Sequence, residues 1–228
     1  MAHRSAFKNA ERFYETYVKP LGQITIVEVG SQDVNGSIRQ IFSDKVKYIG
    51  VDFAEANGVD VVLNDPYVFP FADGYAEAIV CSSVFEHSEF FWLTFTEMMR
   101  ILKPGGLCFL NVPSNGPVHG YPVDCWRFYP DSGRALERWS IRQGYSVAML
   151  ESFMTPQDGG TFNDFVAVYV RGAEFSGHYP RRITDNLEQF ENCYVLGSSE
   201  MKNPKHMPED QCTIFTVRRF LNDRLQPV

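Results

Sequence analysis

The chain has 228 residues and a formal net charge of −7, from 28 acidic and 21 basic side chains. This balance argues against non-specific binding of nucleic acid and against docking on an anionic membrane surface. Hydrophobic residues make up 44% of the chain and charged residues 21%, which is typical of a soluble globular protein with a substantial core.

The five cysteines are widely spaced and form no Cys-x-x-Cys pair. This pattern argues against a disulfide framework and against a zinc site built from cysteines. Cys81 and Cys108 lie in apolar runs and are predicted to be buried free thiols. The chain shows no apolar leader and no stretch long enough to span a membrane, so we expect a cytoplasmic protein without a membrane span.

Strands and helices alternate along the first part of the chain. The hydrophobic periodicity predicts helices over residues 5–18, 89–106 and 131–143, a short helix after Gly36, and strands over residues 24–30, 46–52, 59–63, 75–83, 107–114, 145–153 and 162–170. The early strands are almost entirely apolar, which indicates burial on both faces and a parallel sheet. The predicted fold class is therefore α/β, a Rossmann-like doubly wound sheet of seven mostly parallel strands with an antiparallel strand at one edge.

Three segments are expected along the chain. Residues 1–21 form an N-terminal helix that is part of a lid or cap, residues 22–170 form the ligand-binding domain, and residues 171–228 form a C-terminal extension packed on the core. The polar composition of residues 171–211 also fits a loosely ordered tail, and residues 212–221 fit either a strand or a helix.

The stretch "IVEVGSQDVNG", residues 26–36, marks a candidate binding loop at the end of the first strand. Gly30 lets the backbone approach a ligand there, although many ordinary strands also end in glycine. Asp52 ends the second strand, 22 residues later, where an acidic side chain can accept hydrogen bonds from ribose hydroxyls. Asp52 also fits a simple turn or helix-cap residue.

The stretches "VEVG", "YIGVD", "NDPYVFPFADGYAEAIVCSSVFEH" and "EMMRILKPGGLCFLNVP" resemble the class I S-adenosylmethionine-dependent methyltransferases, type 11-like, over roughly residues 22–170. The resemblance implies S-adenosyl-L-methionine as cofactor and S-adenosyl-L-homocysteine as product. It implies cofactor contacts from Glu28, Gly30, Ser31, Gln32, Asp52, Phe53, Asn64, Asp65, Ser82 and Ser83.

Within that set, the resemblance places Glu28 and Gly30 beside the methionine part, Asp52 at the ribose and Asp65 at the adenine amino group. Phe53 or Tyr67 would pack near the adenine ring. The opening loop departs from the family pattern, because Gln32 stands where a second glycine is expected. Asn35-Gly36 could supply the tight turn slightly later.

The segment "NGPVHGYPVDCWRFYPDSGRAL", residues 115–136, is predicted to be a shaped loop at the same sheet edge. It resembles a segment of methyltransferases associated with glycan and polysaccharide biosynthesis. Substrate contacts are expected from Tyr121, Trp126 and Arg127. In the alternative structural interpretation, Trp126 fills the core and Arg127 forms a salt bridge with Asp124.

The predicted function is methyl transfer to a hydroxyl of a sugar or another small molecule. A neutral hydroxyl needs a base, and the candidates are His87 first, then His119 and Asp124, although a lone histidine is more often structural. Glu86 is expected to orient a neighbouring group. Metal dependence is not expected, since no compact carboxylate or histidine cluster is obvious, although residues distant in the chain could share a site.

Three other functions fit parts of the pattern. An N-methyltransferase needs less base catalysis, a non-catalytic scaffold would explain the missing glycines, and an NAD-type Rossmann protein would use the Asp52 spacing. The expected partner is a small-molecule or glycan acceptor and no nucleic acid. The aromatic content of 14% is compatible with a homodimer.

Overall fold

The computed structural model describes residues 4–34, 36–42, 46–158 and 160–224. Asn35, which was predicted to share a tight turn with Gly36, lies outside the described residues. The strands are β1 Thr25–Val29, β2 Lys47–Asp52, β3 Val61–Val62, β4 Ala76–Ser82, β5 Leu102–Pro113, β6 Val147–Thr155, β7 Asp164–Arg171 and β8 Glu191–Val195. The helices are α1 Arg4–Phe13, α2 Phe91–Ile101, α3 Ser132–Arg142 and α4 Glu209–Arg224. Short π or 3₁₀ turns cover Tyr14–Val18, Lys19–Leu21, Ile38–Ile41, Ala173–His178 and Ile183–Asp185.

The strands form one eight-stranded sheet in the order β3-β2-β1-β4-β5-β7-β6-β8. Strands β1 to β5 pair in parallel, whereas β7 is antiparallel to both of its neighbours and β8 is antiparallel to β6. The Rossmann-like, mixed α/β class is therefore confirmed. The chain order reverses between β1 and β4, which is where open α/β sheets bind ligands.

The predicted number of seven strands is wrong, because β8 adds an eighth at the edge. The position of the antiparallel strand also differs, since β7 lies inside the sheet between β5 and β6. The sequence pattern did not predict β8, because its five residues, "ENCYV", form a short and half-polar segment. It is held by pairing with β6 rather than by an apolar run of its own.

Aromatic side chains pack helices onto both faces of the sheet. On one face, Phe13 of α1 stacks on Phe109 of β5 with ring centroids 4.9 Å apart. On the other face, Phe95 of α2 meets Tyr169 of β7 edge to face at 5.0 Å, and the Tyr169 hydroxyl donates to the Gly133 carbonyl at 3.2 Å. Both faces of the sheet are therefore buried, as the apolar strands predicted.

The Lys-Pro-Gly-Gly stretch does not close a helix as predicted. Helix α2 ends at Ile101, and the following residues already belong to β5. Ala76 pairs with Leu102 and Ala78 with Leu107, so the four residues between bulge out of the strand. A Cβ on Gly106 would lie 2.8 Å from the Glu77 carbonyl oxygen, so the bulge requires glycine there.

Cys81 and Cys108 lie in neighbouring strands and are fully buried, as predicted, and burial raises the pKa of both thiols. All five cysteines are free. Among the residues that the structure describes, no helix combines the length and apolar character needed to cross a bilayer.

A buried carboxylate, Glu151 of β6, joins the N-terminal segment and the C-terminal extension to the sheet. It is fully buried and accepts hydrogen bonds from the Tyr17 hydroxyl at 2.6 Å, the Ile183 N–H at 2.6 Å, and the Thr184 N–H and hydroxyl at 3.2 and 2.8 Å. The sequence pattern did not point to Glu151, because its partners are distant in the chain.

We expect Glu151→Gln to lower the free energy of unfolding by about 2–4 kcal/mol, because an amide NH₂ would face donors that now meet a carboxylate oxygen. Tyr17→Phe removes one of the four bonds and should cost only about 1–2 kcal/mol. Urea unfolding of both variants measures the difference. Equal losses would contradict the view that the carboxylate also holds the extension.

Candidate active site

A cleft of about 430 Å³ lies at the carboxyl ends of β1, β2 and β4, the place where the strand order predicts a ligand site. Its volume is in the range of small-molecule and cofactor sites. We call it the sheet-edge cleft. Of the residues predicted to contact ligand, it is lined by Gly30, Gln32, Asp52, Phe53, Asn64, Tyr67, Ser83, His87 and Tyr121. Helix α1, predicted to belong to a lid, contributes none of the lining residues.

Gly30 makes the sharp turn that opens the cleft. Its φ is +80°, and its N–H donates to the Val51 carbonyl at 2.9 Å. A Cβ at this position would lie 2.0 Å from Cγ2 of Val84, so both the backbone conformation and the space require glycine. The backbone of the first turn is thereby left open towards the cleft.

The loop after Gly30 is rebuilt around side chains instead of further glycines. Asp33 Oδ1 accepts the Gly36 N–H at 2.8 Å, which closes a local turn. Gln32 Nε2 donates to Asp52 Oδ1 at 3.1 Å, and Gln32 Oε1 accepts the Tyr121 hydroxyl at 3.1 Å. Gln32 thus joins the end of β2 to the loop that follows β5.

Asp52 lies at the cleft wall and is 7% exposed. Its Oδ1 accepts the Phe53 N–H at 2.7 Å as well as the Gln32 amide. These bonds hold the carboxylate at the strand tip with its other oxygen available to a ligand hydroxyl, the role that its spacing from Gly30 predicts.

A second, smaller cavity continues inward between the tips of β1 and β4. It is lined by Glu28, Gly30, Ser31, Gln32, Gly36, Ser37, Ile38 and Ser82. Glu28 is 6% exposed, and its Oε2 has no hydrogen-bond partner among the described residues, nor have the hydroxyls of Ser31 and Ser82. Burial raises the pKa of Glu28 to about 7. A cationic ligand group here would satisfy the Glu28 Oε2 atom, which has no partner among the described residues.

The buried Glu28 should make stability depend on pH. Burial raises its pKa from 4.5 to about 7 against the opposing effects of Tyr48 and Arg39, so the folded state holds this proton more tightly than the unfolded chain. Its contribution is complete below about pH 4.5 and is lost as pH rises through about 7. We expect Glu28→Gln to remove about 3 kcal/mol of the decline in unfolding free energy over this window, measured by urea unfolding. An unchanged decline would contradict the assignment.

Asp65 lies outside the cleft lining, whereas its neighbours Asn64 and Pro66 are in it. The Asp65 carboxylate accepts the Tyr67 N–H at 2.8 Å and holds the turn after β3. The predicted contact of Asp65 with adenine remains a prediction, and Asn64 is the polar side chain of this turn that reaches the cleft.

The loop after β5 covers one side of the cleft. The cleft is lined by Tyr121 and Val123 of this loop and by His87, which follows β4. The other predicted catalytic and substrate residues of the loop lie outside the lining: His119, Asp124, Trp126 and Arg127. Arg127 donates two hydrogen bonds to the Asp124 carboxylate, of 2.5 and 2.8 Å, so the salt bridge of the alternative interpretation is present. Pairing with Arg127 lowers the pKa of Asp124 to about 2, which suits it to holding the loop rather than to accepting a proton.

Two residues on this side of the cleft, Val123 and Glu86, were not predicted as site residues. The Val123 carbonyl lies 2.6 Å from His87 Nδ1 and sets the orientation of the imidazole. Glu86, expected only to orient a neighbour, is 1% exposed, and one of its carboxylate oxygens lies 3.7 Å from His87 Nε2. Glu86 could have been predicted from its position next to His87 after β4. The contact of Val123 with His87 could not, because it depends on how the chain folds.

The fold and the site define a Rossmann-like α/β protein with its ligand cleft at the switch in strand order. Residues 23–110 match the family model described as a methyltransferase domain. An uncharacterized methyltransferase of Mycolicibacterium paratuberculosis is 31% identical over 134 residues, which cover 53% of this chain and 51% of the relative. One of Mycobacterium sp. (strain KMS) is 28% identical over 108 residues, 47% of this chain and 39% of the relative. The chain thus spans about half or less of the curated relatives it matches.

Two solved structures share the fold. The Burkholderia thailandensis 1,6-didemethyltoxoflavin-N1-methyltransferase, solved with 1,6-didemethyltoxoflavin and S-adenosylhomocysteine, superposes with a TM-score of 0.57 at 12% identity, covering 74% of this chain and 79% of that chain. The [4+2]-cyclase SpnF gives a TM-score of 0.54 at 12% identity, covering 74% and 82%. The second comparison shows that the fold alone does not define the reaction.

Residues 23–110 are thus similar to a methyltransferase domain, and the resemblance noted in the sequence implies S-adenosylmethionine as cofactor. The cavities fit this cofactor in two respects. The buried Glu28 carboxylate, whose Oε2 has no partner in the described part of the chain, suits an ammonium group, and the Asp52 carboxylate suits a pair of ribose hydroxyls.

Proposed function

We propose that the protein transfers the methyl group of S-adenosylmethionine to a hydroxyl oxygen of a small molecule, with sugar hydroxyls the preferred class. One observation carries the proposal: a single cleft brings the acidic tip of β2, the glycine turn of β1 and His87 after β4 to one surface. Cofactor and acceptor can therefore meet at the tip of β4.

In this proposal Asp52 holds the ribose and Glu28 the methionine ammonium group. Asn64, Phe53 and Tyr67 lie along the outer part of the cleft, where the adenine ring would pack. Bound S-adenosylmethionine supplies an electrophilic methyl group on a positively charged sulfur. The hydroxyls of Ser82 and Ser83, at the end of β4, would lie near that sulfur.

A sugar acceptor is supported by the aromatic surface beside the cleft. The Trp126 indole N–H donates to the carbonyl of Ser88, a residue of the cleft lining, at 3.0 Å. Trp126 remains 38% exposed and packs edge to face with Trp92, with ring centroids 6.0 Å apart. An aromatic face of this kind packs against the C–H face of a sugar ring. The resemblance of the 115–136 segment to glycan-modifying methyltransferases agrees with this class.

Methyl transfer is an in-line displacement. The acceptor oxygen approaches the methyl carbon opposite sulfur at about 3 Å, forms the new C–O bond, and the C–S bond breaks with its electron pair left on sulfur. The hydroxyl proton must leave, and we assign activation of the hydroxyl to His87, the predicted catalytic histidine that lines the cleft. The products are a methyl ether, S-adenosylhomocysteine and a proton.

The test has two stages. Calorimetry should show S-adenosylhomocysteine binding, and methyl transfer from labelled cofactor should then be measured on matched panels of sugars, nucleotide sugars and amines. Transfer to a hydroxyl is the expected result. Transfer to amines alone would replace the proposal by N-methylation, and binding without any transfer would favour a non-catalytic role.

We expect His87→Ala to lower the rate of hydroxyl methylation at least about 100-fold, the usual size of a lost proton-transfer group, while S-adenosylhomocysteine still binds. His206→Ala, on an exposed residue outside the cleft lining, is the matched control. Single-turnover methylation measures both variants. Full activity of His87→Ala would remove the assigned role.

A further inference from the structure

Glu86, His87 and His119 form a compact group that we call the histidine–glutamate cluster. One ligand-type atom from each side chain lies within 4.8 Å of the other two. The two imidazoles meet edge to face with centroids 4.9 Å apart. Because 32 residues separate the two histidines in the chain, no sequence spacing predicts this group.

The first histidine is oriented as a ligand. His87 Nδ1 lies 2.6 Å from the Val123 carbonyl, which can only accept, so Nδ1 carries the hydrogen. Nε2 then keeps a free lone pair, and it lies 3.7 Å from a Glu86 carboxylate oxygen. An imidazole whose second nitrogen donates to a carbonyl is the usual arrangement of a metal-bound histidine.

The second histidine has the same kind of support. His119 Nδ1 lies 3.4 Å from both the Pro117 carbonyl and Asp124 Oδ2, and the His119 N–H donates to Asp124 at 2.7 Å. Arg127 Nη2 also lies 3.4 Å away, but it bonds to Pro117 and Asp124 at 2.8 Å each, which uses both of its hydrogens. A hydrogen on His119 Nδ1 therefore has acceptors, and Nε2 is left free.

Two buried carboxyl groups at the cluster each leave one oxygen without a hydrogen bond in the described part of the chain. They belong to Glu86, which is 1% exposed, and to Asp164, which is 2% exposed. The positive charge of Arg127 is engaged by Asp124. A buried carboxyl oxygen without a partner is costly, and a metal ion bound at Glu86 would satisfy it.

We propose that Glu86, His87 and His119 bind a divalent first-row transition metal ion beside the sheet-edge cleft. Two imidazoles and one carboxylate suit Zn²⁺ or Fe²⁺ better than Mg²⁺, and three protein ligands leave coordination positions open.

The role of the ion rests on the proposed methyl transfer. A hydroxyl bound at an open position loses its proton to water more easily, because the metal lowers its pKa. The oxygen then forms the bond to the methyl carbon as the C–S bond breaks, and S-adenosylhomocysteine leaves. His87 would activate the hydroxyl through the ion.

The experiment measures metal binding without turnover. The full chain is stripped with a chelator and titrated with Zn²⁺ by calorimetry and with Co²⁺ by visible absorption. We expect one site per chain, weakened at least about tenfold by Glu86→Gln and by His119→Ala and unchanged by His206→Ala. S-adenosylhomocysteine binding by each variant confirms that it is folded.

Absence of stoichiometric Zn²⁺ binding would overturn the proposal, as would binding that survives both cluster substitutions, for example at the exposed Cys125. Failure here is separable from failure of the methyltransferase assignment. Metal-free protein that binds S-adenosylhomocysteine and methylates a hydroxyl would keep the second and remove the first.

Discussion

Asp52→Ala is expected to weaken S-adenosylhomocysteine binding at least about 100-fold. A carboxylate that accepts two ribose hydroxyls makes two charge-assisted bonds, each worth about 1.5–3 kcal/mol, and each 1.4 kcal/mol is a factor of ten in affinity. Asp52 is 7% exposed at the cleft wall, so water replaces these bonds poorly. Isothermal calorimetry measures the change.

Glu55→Ala is the matched control, because it removes the same charge from an exposed residue in the same loop that is absent from the cleft lining. It should change the affinity less than about threefold. Thermal unfolding without ligand checks that Asp52→Ala is folded, since Asp52 also accepts the Phe53 N–H. Similar affinities for both variants would place the ribose elsewhere.

Gly30→Ala is expected to lower the free energy of unfolding by about 2–5 kcal/mol. A left-handed backbone at φ +80° costs an L-residue about 1–2 kcal/mol. The new methyl group would also lie 2.0 Å from Val84 Cγ2, and displacing a packed side chain costs about 1–3 kcal/mol more. Urea unfolding measures the sum.

Gly22→Ala separates the two effects. Gly22 also has a positive φ, +76°, but a Cβ there meets no atom within 4 Å. Its substitution should therefore cost only the backbone part, about 1–2 kcal/mol. If the two variants lose equal stability, Val84 moves away freely, and the turn at the end of β1 is looser than the structure indicates.

The sheet could be predicted where local pattern and burial agree. Strands β1, β2 and β4 are apolar runs ending in turn residues, and all three were predicted within two residues of their bounds. The same periodicity failed at the Lys-Pro-Gly-Gly stretch, because a bulge depends on the neighbouring strand β4. It also did not predict β8, which is stabilised by pairing with β6 rather than by an apolar sequence of its own.

The residues of the candidate site also divide into those that the local pattern predicts and those that depend on the fold. Gly30 and Asp52 could be predicted, because the tips of parallel strands meet at one sheet edge. Which of Asn64 and Asp65 lines the cleft could not be predicted, because neighbouring residues in a turn point in different directions. The approach of His119 to His87 depends on the path of an irregular loop, which no periodicity describes.

Strand β8 has a consequence for the solution behaviour of the protein. It covers one side of β6, pairing Glu151 with Val195 and Ser152 with Tyr194. A form shortened before residue 191 would leave the nine-residue, wholly buried β6 at the border of the sheet, with the N–H and C=O groups that now face β8 unpaired. An exposed strand of this kind can pair with a second copy, so the polar extension protects the protein against edge-to-edge aggregation.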